Sequence, residues 1–210
     1  MTPHEFLAAF KSARASAIVR TSHADNARKA MHAAIRGGFR ICEFTLTVPD
    51  AFSLIREFSQ IPGIIVGAGT VLTPDDAAAS VEAGARFLVS PVVDGDVIAE
   101  ASRLGVAAMP GCSTPTEMLR AHHAGAALQK LFPAPGTGPA WVAQTIAPLP
   151  FLRIVPTAGV TADNAPAYLM AGAFAVGFVS SLFDAGDIAA GRWDAIECRA
   201  RAMIEAVRGA

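Results

Sequence analysis

Among the side chains able to do chemistry, Lys130 has the least ordinary setting. It lies in Ala127-Leu128-Gln129-Lys130-Leu131-Phe132-Pro133, an apolar segment that reads as a buried strand, and the only other lysines are Lys11 and Lys29, in N-terminal helical patterns that read as solvated. An ammonium in a water-poor setting is unfavourable unless it is paired or gives up its proton, so burial drives a lysine pKa down from about 10.4. The neutral amine is a nucleophile toward carbonyl carbon. The plainer reading is a lysine that pairs with a carboxylate or reaches to the strand end to keep its charge in water. Glu43, in Ile41-Cys42-Glu43-Phe44-Thr45, is the only strand-borne carboxylate and is the partner under either reading.

The elements that must hold these groups recur along the chain. A glycine or proline that ends a helical stretch is followed at once by an apolar run at Gly38, Gly63, Gly84, Gly105, Gly125, Pro150 and Gly172, with intervals of 25, 21, 21, 20, 25 and 22 residues. Each interval fits one strand, one helix and two tight loops. The strands are Phe39–Thr45, Ile64–Thr70, Ala85–Ser90, Val106–Pro110, Ala126–Phe132, Phe151–Thr157 and Ala173–Phe178, and Ser16–Arg20 before the first mark makes eight. Polar caps ahead of alanine-rich runs at Thr73-Pro74-Asp75-Asp76, Ser113-Thr114-Pro115-Thr116-Glu117 and Thr161-Ala162-Asp163-Asn164 start helices between them. Nearly all-apolar strands separated by helices form a parallel sheet covered on its outer face, and eight such units close into a (β/α)8 TIM barrel. Further helices fit at roughly Pro3–Arg14, an extra N-terminal helix, and at Trp193–Val207. An open doubly wound sheet is the competing arrangement, but Gly67-Ala68-Gly69-Thr70-Val71-Leu72 lacks the third glycine of its fingerprint.

Composition narrows the function classes. The 210 residues, 1–210, read as one domain with no linker rich in proline, serine or charge. Apolar residues make up 52% of the chain, yet no apolar stretch reaches the ~18 to 20 uncharged residues of a membrane span. A net charge of −1 without a basic block or aromatic-basic stripe argues against a nucleic-acid surface and for a small-molecule or protein partner. Cys42, Cys112 and Cys198 share no CxxC spacing and Met1–Lys11 lacks a secretory pattern, so a reducing cytoplasm is expected. His122-His123 point apart on a helix and no HxH or HExxH occurs, so neither a metal nor another cofactor is expected.

A barrel works at the C-terminal ends of its strands. Side chains alternate with period two, so Leu128, Lys130 and Phe132 share one face and Ile41, Glu43 and Thr45 another. Their strands, the sixth and second, stand opposite each other in an eight-stranded barrel, which brings Lys130 and Glu43 together across a narrow interior. A buried ion pair would explain that much. Arg20, Thr70 and Thr157, at the ends of the first, third and seventh strands, add a guanidinium and two hydroxyls, a cradle for a carboxylate beside a ketone. The amine then forms a Schiff base, and Glu43 shuttles the protons needed to make it and to break the adjacent C–C bond.

Glu43-Phe44-Thr45-Leu46-Thr47-Val48-Pro49, Gly67–Leu72, Met109–Glu117 and Lys130-Leu131-Phe132-Pro133-Ala134 together resemble the 2-keto-3-deoxy-6-phosphogluconate (KDPG)/4-hydroxy-2-oxoglutarate (KHG) aldolases, from about Arg20 to Val207. The resemblance implies a class I, metal-free aldolase that cleaves a 2-keto-4-hydroxy acid to pyruvate and an aldehyde, usually as a cytoplasmic homotrimer. It places the Schiff-base lysine at Lys130, the acid/base at Glu43, pyruvyl carboxylate contacts at Thr70 and Arg20, and a wall beside the imine at Phe132. Many relatives have an arginine where this chain has Thr47, which leaves Arg20 as the main cationic clamp. Relatives that act on phosphorylated sugars usually have two glycines after the seventh-strand threonine and Gly-Ser after the eighth strand. Here these are Ala158-Gly159 and Val179-Ser180, with Gly177 and Ser180-Ser181 as remaining donors. A Cβ and a branched side chain crowd close anion approach, so a non-phosphorylated 2-keto-4-hydroxy acid competes as substrate. Two further readings stand beside these: a different phosphate-binding barrel enzyme, and a non-catalytic trimeric barrel.

Overall fold

A computed structural model describes residues 1–134 and 136–210. Eight parallel strands, β1 (Ala15–Val19), β2 (Ile41–Thr45), β3 (Ile65–Gly69), β4 (Phe87–Ser90), β5 (Ala107–Cys112), β6 (Gln129–Leu131), β7 (Ile154–Pro156) and β8 (Val176–Phe178), follow one another around a barrel. β8 pairs with β1, and a Thr157–Gly177 bridge closes the ring between β7 and β8. Helices α2 (Ala24–Arg36), α3 (Ala51–Ser59), α4 (Pro74–Glu82), α5 (Gly95–Arg103), α6 (Pro115–His123), α7 (Pro139–Ile146) and α8 (Ala165–Met170) alternate with the strands, as a (β/α)8 barrel requires. α9 (Ala185–Ala189) and α10 (Trp193–Arg208) complete the wall.

The local chemistry explains the breaks. α4 and α6 each begin with a capping box, Thr73 with Asp76 and Thr114 with Glu117, followed by proline in the first turn. The Thr161–Asn164 cap differs from expectation: the two side chains bond each other's backbone N–H groups and close a turn, so α8 starts only at Ala165. Strands β6, β7 and β8 are also shorter than expected, because Ala126–Leu128, Phe151–Arg153 and Ala173–Ala175 lead in from the loops before the ladder forms.

The N-terminal helix α1 (Pro3–Ala13) has a structural task. Its Phe6 and Phe10 are fully buried, Phe6 stacks on Phe87 at 4.6 Å, and both join Ile41, Leu128 and Val155 inside the barrel. The helix thus plugs the end where the strands begin. A second, larger apolar cluster lies between the outer faces of the strands and the surrounding helices. Ile41 and Leu128 both point inward, and alternation carries Glu43 and Lys130 inward above them.

Candidate active site

Above that plug, Lys130 Nζ stands 3.9 Å from Glu43 Oε1. Lys130 is 9% exposed and Glu43 is 1% exposed. This is the cross-barrel meeting that alternation predicts. The separation exceeds a hydrogen bond, and neither Glu43 oxygen has a hydrogen-bond partner among the described residues. A buried ion pair that stabilises a fold needs close, fully bonded geometry. This pair lacks it. Burial drives the Glu43 pKa up, opposed by the charges of Lys130 and Arg20, so its neutral acid form is favoured relative to a solvated carboxylate.

A cleft of about 120 Å³ opens over Lys130 at the C-terminal ends of the strands. Arg20, Thr70, Lys130, Phe132, Thr157, Gly159 and Ser180 all line it, while Glu43 lies beneath. Lys130 Nζ is 5.4 Å from the centre of the Phe132 ring. Thr70 adopts φ 61°, an unusual left-handed conformation for a β-branched residue, at the end of β3. Ile18, Pro91, Ala158 and Val179 complete the lining. The sequence holds a signal for Ile18, which alternates with Arg20, but none that brings Pro91 across the mouth. A wider cleft of about 350 Å³, beside Arg40, Gly63 and Arg208, lies at the opposite end of the barrel, away from Lys130.

The distal wall is built from the segments after β7 and β8. Ser181 Oγ donates to the Val160 carbonyl at 2.5 Å, and Asn164 Nδ2 donates to the Gly159 carbonyl at 2.8 Å. Ser181's hydroxyl is therefore committed to the scaffold, and Gly177 sits in the β-ladder. Ser180 remains facing the cleft. Ala158 takes φ 63° and Gly159 φ 72°. The chain thus keeps the left-handed turn that glycine accommodates, although a left-handed conformation is disfavoured for alanine by about 1–2 kcal/mol. Thr47 is exposed and absent from the lining; its hydroxyl is 2.9 Å from that of Thr45.

The loop beyond Ser180 is anchored by Asp187, which binds Arg192 Nε at 2.7 Å and Arg199. Arg199 also donates to the Leu182 carbonyl at 2.6 Å. Hydrogen bonds from Arg199 and then Arg192 hold the Asp187 pKa below its usual 3.8. A lowered folded-state value stabilises the fold above the unfolded pKa, and that contribution disappears as pH falls through the folded one. Replacing Asp187 with alanine is expected to lower the thermal unfolding midpoint at neutral pH, with the gap from wild type narrowing in acid. A gap independent of pH would contradict this electrostatic anchor.

Among the described residues no three His, Cys, Asp or Glu side chains converge as metal ligands, and no helix is long and apolar enough to cross a membrane. Burial pushes the Cys42 and Cys112 thiols up to about 12, so neither is a ready nucleophile.

The fold and this mouth define a (β/α)8 barrel with an amine and a carboxyl group facing each other at the floor of a cleft of about 120 Å³. The family model for KDPG and KHG aldolase matches residues 7–198, and the chain belongs to that family. It is 36% identical over 180 residues to the KHG/KDPG aldolase of Escherichia coli (strain K12), covering 85% of this chain and 83% of that protein. It is 34% identical over 173 residues to the 2-dehydro-3-deoxy-6-phosphogalactonate aldolase of the same organism, covering 81% and 84%. A crystal structure of KDPG aldolase from Legionella pneumophila, with pyruvate captured as a covalent carbinolamine intermediate, superposes with a TM-score of 0.84 at 25% identity, over 94% of this chain and 97% of that one.

Proposed function

We propose that this protein is a class I aldolase that cleaves a 2-keto-3-deoxy-4-hydroxy acid, such as KDPG or 4-hydroxy-2-oxoglutarate, to pyruvate and an aldehyde. The observation that carries the reading is Lys130 Nζ 3.9 Å from a buried Glu43 whose oxygens have no hydrogen-bond partner among the described residues, beneath a cleft that also presents Arg20 and Thr70. The Lys130 amine adds to the C2 carbonyl to give a carbinolamine. Glu43, as a neutral acid, protonates the departing hydroxyl, and water leaves to form the cationic Schiff base. The resulting carboxylate removes the proton from the C4 hydroxyl. The C3–C4 bond then breaks, its electron pair enters the Schiff base to form an enamine, and the aldehyde departs. Glu43 gives its proton to C3, and water adds to the resulting cationic imine and releases pyruvate and the free amine, the proton set free passing back to the Glu43 carboxylate. Arg20 and Thr70 hold the pyruvyl carboxylate, Phe132 packs beside the imine, and Thr157, Gly159 and Ser180 face the aldehyde half. The covalent carbinolamine of the Legionella enzyme supports the first of these steps.

The 210 residues act as one domain, and the active species is a cytoplasmic homotrimer. Leu72 and Val92, which expose large apolar side chains just beyond β3 and β4, offer surface for a second copy to cover.

A second reading, a preference for a non-phosphorylated acid, is favoured by Ala158 and Val179 in the distal wall. Pyruvate release from KDPG and from 4-hydroxy-2-oxoglutarate, by wild type and by Ala158→Gly, tests both. The glycine variant is expected to raise kcat/KM several-fold for the phosphorylated acid and to change the other by less than about twofold, because it opens the wall without touching Lys130. An equal effect on both acids would remove Ala158 from substrate selection, and pyruvate from neither acid would sink the aldolase reading.

A further inference from the structure

We propose that Gly69 is a positioning residue: the space left by its missing side chain is the seat of the Glu43 carboxyl group and aims it at Lys130. A Cβ built on Gly69 would fall 2.0 Å from Glu43 Oε1, 2.8 Å from its Cδ and 3.1 Å from its Cγ. These are the three nearest atoms, so the conflict is with Glu43 itself. Gly69 does not have a positive φ, and its carbonyl accepts a 2.7 Å hydrogen bond from the Leu46 N–H. The backbone would tolerate alanine; the carboxyl group would not.

The register shows which way Glu43 leans. Glu43 pairs with Gly67, whereas Gly69 is the partner of Thr45. The carboxyl therefore reaches past its own pairing level toward the C-terminal ends of the strands, where Lys130 and the cleft lie. Gly67 makes room for a different side chain: a Cβ there would fall 2.5 Å from the Phe87 ring. One glycine admits the apolar floor, the next admits the carboxyl. With neither Glu43 oxygen hydrogen-bonded within the described chain, shape is what fixes the carboxyl opposite the amine. The catalytic consequence rests on Lys130 and Glu43 being the reacting pair; the steric seat does not.

The test compares Gly69→Ala, Glu43→Asp and the double variant in cleavage of 4-hydroxy-2-oxoglutarate, with thermal unfolding of Gly69→Ala measured in wild-type and Glu43→Ala backgrounds. Gly69→Ala is expected to lower kcat about 100-fold, the order of loss from a misplacement of about 1 Å, with little change in KM. The shorter aspartate makes room for the added methyl, so the double variant should exceed Gly69→Ala. The same glycine replacement should lower the unfolding midpoint in wild type, or prevent folding there, and have little effect in the Glu43→Ala background. Wild-type kcat in Gly69→Ala, or an equal loss of stability in both backgrounds, would overturn the proposal. Failure of the aldolase reading would register separately, as no pyruvate adduct in wild type, while the unfolding comparison would still judge the seat.

Discussion

Lys130→Ala and Lys130→Arg are expected to lower cleavage of 2-keto-4-hydroxy acids by at least about 10⁴-fold, because each removes the only group in the proposed mechanism that bonds to substrate carbon. The arginine variant is the sharper of the two. Its guanidinium keeps the positive charge beside Glu43 and fills comparable space, yet stays protonated and cannot attack a ketone. An ion-pair function for Lys130 would be largely preserved by arginine and lost with alanine. A Schiff-base function is lost with both. Parallel kcat and thermal unfolding measurements separate the two accounts, since only the ion-pair account ties the loss of activity to a loss of stability. Substantial activity in the arginine variant would contradict the assignment of Lys130.

Glu43→Gln is expected to lower kcat by about 10² to 10⁴-fold, the range for a lost general acid/base, while the protein remains folded. Its stability should move with pH in a direction fixed by burial. The folded-state pKa of Glu43 is raised above the ordinary 4.5, mainly by desolvation. Folding therefore favours the protonated acid: that contribution is complete below the unfolded value and is lost as pH rises through the raised one. Glutamine has the same shape and never ionises. The variant's thermal midpoint should gain on wild type as pH rises from acid to neutral, and the difference should shrink toward acid. A difference that grows toward acid would mean that the ionised form of Glu43 is the one the fold prefers.

Much of this architecture is legible in the sequence for a physical reason. Gly38, Gly63, Gly84, Gly105, Gly125 and Gly172, the marks of the repeat, all have positive φ, the conformation that glycine tolerates as a helix ends and the chain turns into a strand. The regularity is thus largely one of backbone geometry, visible because glycine supplies it at six of the seven marks, with Pro150 at the other. Period-two alternation then suffices to carry Lys130 and Glu43 to one interior, because a closed barrel leaves inward side chains nowhere else to go. Other features depend on contacts that alternation does not encode. The five-residue helix Ala185–Ala189 forms around the Asp184 cap and the Asp187 anchor, with too little length to show a helical period. The short start of β8 and the turn at Thr161–Asn164 depend on where partners lie in space. Alternation points Gly69 inward, but only the β2–β3 register and the extended Glu43 side chain reveal what fills its place.

The substrate end shows the same division. Ala158 and Val179 are visible departures in sequence, and the structure adds that Ala158 adopts a left-handed turn and joins the cleft wall.

The proposed mechanism requires a covalent bond between Lys130 and a 2-keto acid. Its most direct test is borohydride reduction in the presence of saturating pyruvate, on wild type and Lys130→Ala, followed by intact mass measurement and peptide mapping. One reduced pyruvyl adduct per chain is expected, on Lys130, and none in the variant. A folded wild-type protein that acquires no adduct, or an adduct of equal yield in Lys130→Ala, would contradict it.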